Sequence, residues 1–302
     1  MIDQATTLRQ LMSNHLRPWH IPTIDVNSAS RLGNDKRPGH ARYVLVSSGK
    51  GGVGKSVVTL NLALALAQCG QRVCVIDAQQ GLGHIDLLSG VNGYWNFTHV
   101  MRGSRQLEQV LLKSSGGITI LPGASDLHEV SRTTDTFQAS VIHQLVKLEE
   151  NFDVILIDAG LGYLPSTRRL ARLAHDVLIV TTTETTALAD TYSLLKNASA
   201  QEMASVQLIF NRSEYDLSHR AWQSLNMTAK SFLQREIPLL GVIPEDQAVG
   251  LSVARRHPLL QMIEESTASD TVQQMARRLQ DQWVQRPQSA FSWKEYCDPA
   301  AK

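Results

Sequence analysis

Gly49-Lys50-Gly51-Gly52-Val53-Gly54-Lys55-Ser56 is the stretch on which the fold turns. It matches G-x-x-x-x-G-K-[ST], a loop whose glycines let backbone N–H groups close around phosphate oxygens where a Cβ would obstruct them. Its flanks supply the context: Tyr43–Ser47 before it is largely apolar, and Val57–Gln68 after it carries helical periodicity. A helix that starts at such a loop points its positive end at the same place. Lys55 is then expected to reach the β- and γ-phosphates, and the Ser56 hydroxyl to bind Mg²⁺. The motif predicts a nucleoside triphosphate site.

Outward from this loop, short apolar runs alternate with amphipathic stretches. Strands are expected at Tyr43–Ser47, Arg72–Asp77, Ile118–Leu121, Asp153–Asp158, Asp176–Thr181, Val206–Phe210 and Leu240–Ile243. Helices are expected at Val57–Gln68, Arg105–Lys113, Phe137–Glu150, Thr167–Ala174, Ala187–Ala198 and about Ser218–Arg235. Near-continuous apolar strands separated by helices predict an α/β fold, a doubly wound, mainly parallel sheet with helices on both faces. That domain is expected to span residues 43–262. Residues 1–42, interrupted by Pro18, Pro22 and Pro38 and rich in turn formers, read as a flexible segment with one short helix around Ala5–Asn14. Residues 263–302 are expected to form a trailing amphipathic helix, about Ser269–Gln285, and a polar tail. The helix places Val272, Met275, Ala276, Leu279 and Trp283 on one face, which leaves two uses open: packing on its own domain or lying on a membrane. The tail carries Phe291, Trp293 and Tyr296, and its reading stays open between a partner motif and disorder.

Composition narrows the class. The 302 residues carry 29 Lys+Arg against 28 Asp+Glu, and 43% are hydrophobic, enough for a sizeable core. A net charge of +1 argues against bulk electrostatic binding to nucleic acid. Cys69, Cys74 and Cys297 lack metal-ligand spacing and read as reduced thiols. No apolar run suits a signal segment or a bilayer span, so a soluble intracellular protein is expected. Asp158, ending the apolar run Val154–Ile157, is the carboxylate expected to hold Mg²⁺, through water, beside the phosphate loop. Gly160 and Gly162 follow it, where a mobile loop would need permissive backbone.

A second lysine, Lys50, directly follows the first glycine, and the string SGKGGVGKS resembles the deviant Walker A of the MinD/ParA class of ATPases. The resemblance covers residues 43–262. It implies that Lys50 crosses a dimer interface to the partner's ATP, where a cation supplied in trans neutralises phosphate charge only when two protomers meet. The same resemblance makes Asn211-Arg212 and the Pro244-Glu245-Asp246 turn of GVIPEDQAV the frame of the adenine base, with Asn211 at its edge. IDAQQGLGHID (Ile76–Asp86) resembles the family's IDADLGLGNID, with Asp77 in place near metal and attacking water, but with Gln79 where relatives carry a second Asp. Gln orients water by hydrogen bonding and lacks a basic carboxylate, so slow or lost ATP hydrolysis is expected.

Asp3-Gln4-Ala5-Thr6-Thr7-Leu8-Arg9 resembles D-Q-A-x-x-L-R, the N-terminal activator motif of the FlhG branch. In that branch the motif enters the composite site of FlhF, a signal-recognition-type flagellar GTPase. Gln4 would orient a water, Arg9 meet phosphate or an acidic rim, Leu8 anchor the helix, and Asp3 and Ala5 complete the motif. TTTETTALADTYSLLK (Thr181–Lys196) also resembles that branch. What the resemblance implies is an ATP·Mg²⁺-binding switch that dimerises, controls flagellar number or position, stimulates FlhF, and works at the inner face of the cell membrane. Flagellar switch-complex proteins or a flagellar transcription regulator are further implied partners. Two alternatives stand beside it: a ParA-like ATPase binding DNA non-specifically, which neutral charge disfavours, and an ATP-binding partner protein without hydrolysis.

Overall fold

The computed structural model describes residues 41–79, 84–197, 205–262, 266–286 and 293–297. The activator-like residues Asp3, Gln4, Ala5, Leu8 and Arg9, the helix expected at Ala5–Asn14 and part of the IDAQQGLGHID segment lie outside the described residues.

Eight strands form one sheet: β1 (Arg42–Ser48), β2 (Val73–Ala78), β3 (Leu112–Lys113), β4 (Thr119–Leu121), β5 (Val154–Leu161), β6 (Asp176–Thr181), β7 (Val206–Asn211) and β8 (Leu239–Ile243). Their order is β3-β4-β2-β5-β1-β6-β7-β8, and every pairing is parallel except β3 with β4. The helices used below are α1 (Lys55–Gln68), α2 (Ile85–Leu88), α3 (Phe97–Met101), α4 (Asp135–Glu149), α5 (Pro165–Leu173), α6 (Thr185–Asn197), α7 (Tyr215–Leu233), α8 (Gln247–Arg255), α9 (Leu259–Met262), α10 (Thr267–Gln285) and α11 (Trp293–Cys297).

Strand side chains alternate between two cores, as the pleat requires. Tyr43, Leu45, Ile155 and Ile157 join residues of α4, α6, α7 and α11 on one face, and Val44, Val46, Leu156 and Leu178 join α1, α9 and α10 on the other. β1 lies at the centre, with its register fixed by Val44↔Leu156 on one side and Val44↔Asp176 on the other. The phosphate loop therefore opens at the C-terminal rim of a sheet buried on both faces.

One expectation needs correction, and the structure bears on two readings that sequence leaves open. Arg105–Lys113 is not a helix: a short 3-10 turn at Leu107–Gln109 gives way to β3, which pairs Leu112 with Ile120 and Lys113 with Thr119. The hairpin wins because Ser114–Gly117 closes a tight turn, with Gly117 at φ +80° and the Ser114 N–H donating to the Ile118 carbonyl at 3.0 Å. The trailing helix exists as α10, but its apolar face is filled. Ala268, Val272, Met275, Ala276 and Leu279 are buried among residues of α1 and β8. Burial of Val272, Met275 and Leu279 alone is worth roughly 5–9 kcal/mol, so that face is not on offer to a membrane in this conformation. The tail, left open by sequence, contributes structure of its own: Trp293 and Tyr296 are among the largest fully buried side chains, and Trp293 Nε1 donates to the Tyr43 hydroxyl at 2.8 Å.

Candidate functional site

The loop from Gly49 to Ser56 joins β1 to α1, and its glycines have identifiable jobs. A Cβ at Gly49 would lie 2.6 Å from the Asp190 carbonyl carbon, so only glycine lets the loop run against the backbone of α6. Gly54, at φ +88°, is the N-cap of α1, and a Cβ there would strike the Asn211 amide. Among the described residues, the amides of Gly51, Gly52, Val53 and Gly54 donate to no protein acceptor, and no acidic side chain occupies the first turn of α1. Free amides converging on a helix N-terminus fit an anionic phosphate.

Lys55 and Asp158 form the buried ion pair of the site, Nζ to Oδ1 at 2.7 Å, with the carboxylate wholly enclosed. Thr59, one turn along α1 and therefore on the same face as Lys55, also lies within 3.4 Å of that oxygen. Asp158 Oδ2 is buried without a hydrogen-bond partner. Asp77 stands in register with Asp158 on the adjacent strand, and its carboxylate accepts N–H bonds from Ile85 at 3.1 Å and Gln79 at 3.4 Å. Burial, and then the neighbouring Asp158 charge, push the Asp77 carboxyl up to about 6. Ser56 Oγ donates to Gln79 Oε1 at 3.2 Å. The sheet register and the loop thus gather Ser56, Asp77, Gln79 and Asp158 beside Lys55. Two carboxylates, one of them with an unpaired oxygen, and a hydroxyl make a donor set that fits hydrated Mg²⁺ next to phosphate.

Lys50 is handled differently. It is partly exposed at the rim, and its ammonium donates to Glu184 Oε2 at 2.6 Å, just before α6, and to Thr186 Oγ1 at 2.9 Å, in the first turn of α6. The hydrogen bond from Lys50, and then its charge, in turn hold the Glu184 carboxyl below its usual range. Beside it lies a hollow of about 360 Å³ lined by Gly49, Gly51, Leu161, Tyr163, Asp190 and Leu194 among others. Larger hollows of about 590 and 730 Å³ lie at the two edges of the sheet, away from the loop, so size alone does not mark the site.

On the far side of the loop, Asn211 Nδ2 donates to the Val53 carbonyl at 2.8 Å and Arg212 Nη2 to the Gly52 carbonyl at 3.0 Å. Both residues brace the loop, and the Asn211 amide nitrogen is thereby spent on backbone, leaving its Oδ1 for a base edge. Asp246, read from sequence as part of the base frame, is committed elsewhere. It caps α8 through the Ala248 N–H at 2.9 Å and accepts from Ser266 Oγ at 2.6 Å and the Ala268 N–H at 3.3 Å at the start of α10. The Ser266 hydroxyl leads the hydrogen bonds that keep its carboxyl low. Pro244 and Glu245 lie in the loop joining β8 to that cap, at the same rim as Asn211. Sequence reasoning missed Glu184 and Thr186, the partners of Lys50. The only available signal was their place in a segment known by resemblance, because the contact spans 134 positions.

A phosphate cradle at the C-terminal rim of a mainly parallel sheet, facing a carboxylate from the adjacent strand, is the arrangement of a P-loop nucleoside triphosphatase. The ParA family description, "NUBPL iron-transfer P-loop NTPase", matches residues 40–280, and the chain belongs to the ParA/MinD family of P-loop ATPases. It is 32% identical to the antiactivator FleN of Pseudomonas aeruginosa over 80% of this chain and 87% of that one. It is 29% identical to the flagellum site-determining protein YlxH of Helicobacter pylori, covering 83% and 89% respectively. Among solved structures, the septum site-determining protein MinD of Pyrococcus horikoshii OT3, complexed with Mg-ADP, superposes with a TM-score of 0.63 at 26% identity over 82% of this chain and all of that one. Among the described residues, no helix is long and apolar enough to cross a membrane.

Proposed function

We propose that this protein is an ATP·Mg²⁺-gated switch of the FlhG type: it dimerises on ATP, hydrolyses it slowly, and governs flagellar number or position. The observation that carries the reading is the pair of lysines in one loop, Lys55 buried on Asp158 and Lys50 partly exposed at the rim. A buried cation facing free amides suits the nucleotide held in cis. An exposed cation weakly tethered to Glu184 suits transfer to a second copy, because a solvent-facing pair costs little to exchange. The names of the FleN and YlxH relatives support the flagellar branch.

In this reading a bound Mg²⁺ would supply positive charge that offsets the charge of the phosphates. Ser56 and the Asp158 carboxylate would hold it, together with Asp77. Lys55 moves from Asp158 onto phosphate, and the amides of Gly51 to Gly54 take the remaining oxygens. Gln79 orients the attacking water through its amide without accepting its proton, which limits the rate. The motif Asp3–Arg9 engages FlhF and stimulates its GTP hydrolysis, with flagellar switch-complex proteins or a transcription regulator as further partners. Residence at the inner face of the cell membrane, in this reading, uses a surface other than the filled face of α10.

Light scattering of the full chain tests the core of the reading. With a non-hydrolysable ATP analogue and Mg²⁺ the native protein is expected to dimerise, while Lys50→Ala binds the analogue and stays monomeric. Dimerisation of Lys50→Ala to the same extent would overturn the role of that lysine. Single-turnover phosphate release is expected to accelerate in Gln79→Asp. FlhF GTPase activity is expected to rise with a peptide of residues 1–20 but not with its Gln4→Ala form.

A further inference from the structure

Between α2 and the 3-10 turn at Leu107–Gln109 lies a cluster that the nucleotide site does not use. Tyr94 is 84% exposed and meets Trp95 edge-to-face at 4.6 Å. Trp95 is half-buried, packs edge-on against His99 at 4.8 Å, and carries the Arg105 guanidinium over its ring at 4.2 Å from the centroid. Arg102, just past the end of α3, is exposed. Among the described residues neither Arg102 nor Arg105 has an acidic partner, and the nearby Glu108 is spent on Lys147 at 2.8 Å.

The platform beneath is firm. Phe97 and Val100 are buried, the Phe97 N–H donates to the Pro122 carbonyl at 3.0 Å, and Asn96 and His99 close a capping box. Asn96 also rests on Gly123, where a Cβ would come within 3.1 Å. Pro122 and Gly123 follow β4 directly, so the cluster sits at the same rim as Asp77 on the neighbouring β2. A tyrosine, a tryptophan and two arginines grouped on a rigid surface have the composition of interface hot spots, where aromatic area and desolvated guanidinium bonds carry the energy. An arginine laid over an indole is also pre-oriented, so a carboxylate gains bonds without ordering the side chain first.

From this cluster we infer a docking surface for an acidic protein segment, one that lays Asp or Glu carboxylates on Arg102 and Arg105 and apolar stems on Tyr94 and Trp95. The inference stands apart from the reading of the nucleotide site, since none of its residues touches the phosphate loop.

The test uses the full-length protein, with ATP and Mg²⁺ present so that the phosphate-loop cations are covered. It is applied to an array of randomised nine-residue peptides, alongside a labelled twelve-nucleotide oligo-dT. The expected result is that captured peptides are enriched in Asp and Glu next to Leu or Phe. Affinity for a representative hit should fall at least tenfold in Arg102→Glu/Arg105→Glu and several-fold in Tyr94→Ala, with thermal midpoint and ATP affinity unchanged. Peptides without acidic enrichment, binding indifferent to these substitutions, or tighter capture of oligo-dT than of any acidic peptide would each overturn it. All three exchanged residues lie on the surface, and Arg102→Gln/Arg105→Gln offers a milder pair should the charge reversal perturb folding.

Discussion

At the N-terminal rim of the sheet, Asp176 receives Arg42 Nε at 2.6 Å and Trp283 Nε1 at 2.9 Å, and the Arg42 guanidinium lies over the Trp283 ring. At the C-terminal rim, Asp158 receives Lys55 at 2.7 Å. Each end buries one carboxylate with an oxygen left unpartnered, Asp176 Oδ1 in the first case and Asp158 Oδ2 in the second. A lone orphan oxygen therefore does not identify a ligand site. What separates the ends is the surroundings: aromatic rings from α10 and α11 close one, while unpaired amides and a second, exposed lysine leave the other open. One end is finished by the chain itself, and the other is built to be finished by something else.

Breaking the buried pairs gives the largest contrast. Lys55→Met and Arg42→Met are each expected to cost about 3–5 kcal/mol by stranding a buried carboxylate. Only Lys55→Met should weaken ATP binding, on the order of 100-fold or more. Chemical denaturation with isothermal calorimetry separates the two outcomes, and loss of ATP binding in Arg42→Met would erase the distinction. Trp293→Ala is expected to lose a comparable 3–5 kcal/mol, about the usual cost of a large buried aromatic, with nucleotide affinity preserved.

A smaller effect has a pH signature. Because the Asp77 carboxyl is raised to about 6, the folded state binds its proton more tightly than the unfolded state does. Stability contributed by that proton is full at acid pH and drains as pH climbs from about 4 to about 6. Asp77→Asn should therefore flatten the stability profile across that window. Above it, the nucleotide-free protein should gain up to about 3 kcal/mol, measured by urea melts at several pH values. The smallest effect belongs to Glu184→Gln, which releases Lys50 from an exposed pair. ATP-dependent dimerisation is expected to tighten only about two- to fivefold, with the gain shrinking at high salt in sedimentation equilibrium.

Much of the open rim was legible in sequence because local spacing encodes it. The loop from Gly49 to Ser56 is contiguous, and Asp77 and Asp158 each fall at or near the end of an apolar run that any parallel sheet would bring to one side. The closed rim was not. Trp293 sits in a polar stretch with no period to mark it as core, and its partner Tyr43 is 250 positions away. Asp246 shows another limit: a turn residue beside a strand end reads as part of a site, and sequence does not reveal that its carboxylate is bonded at two helix starts. The two-residue β3 was hidden because Leu107, Val110 and Leu111 satisfy a helical pattern as well as they do a turn and hairpin.

The seating of Trp293 and Tyr296 against β1 has a consequence for biosynthesis. β1, made early, waits for residues made some 250 positions later before that side of the sheet is sealed. Until they clear the exit tunnel, Tyr43 lacks its aromatic cover and that side of the sheet stays open to solvent.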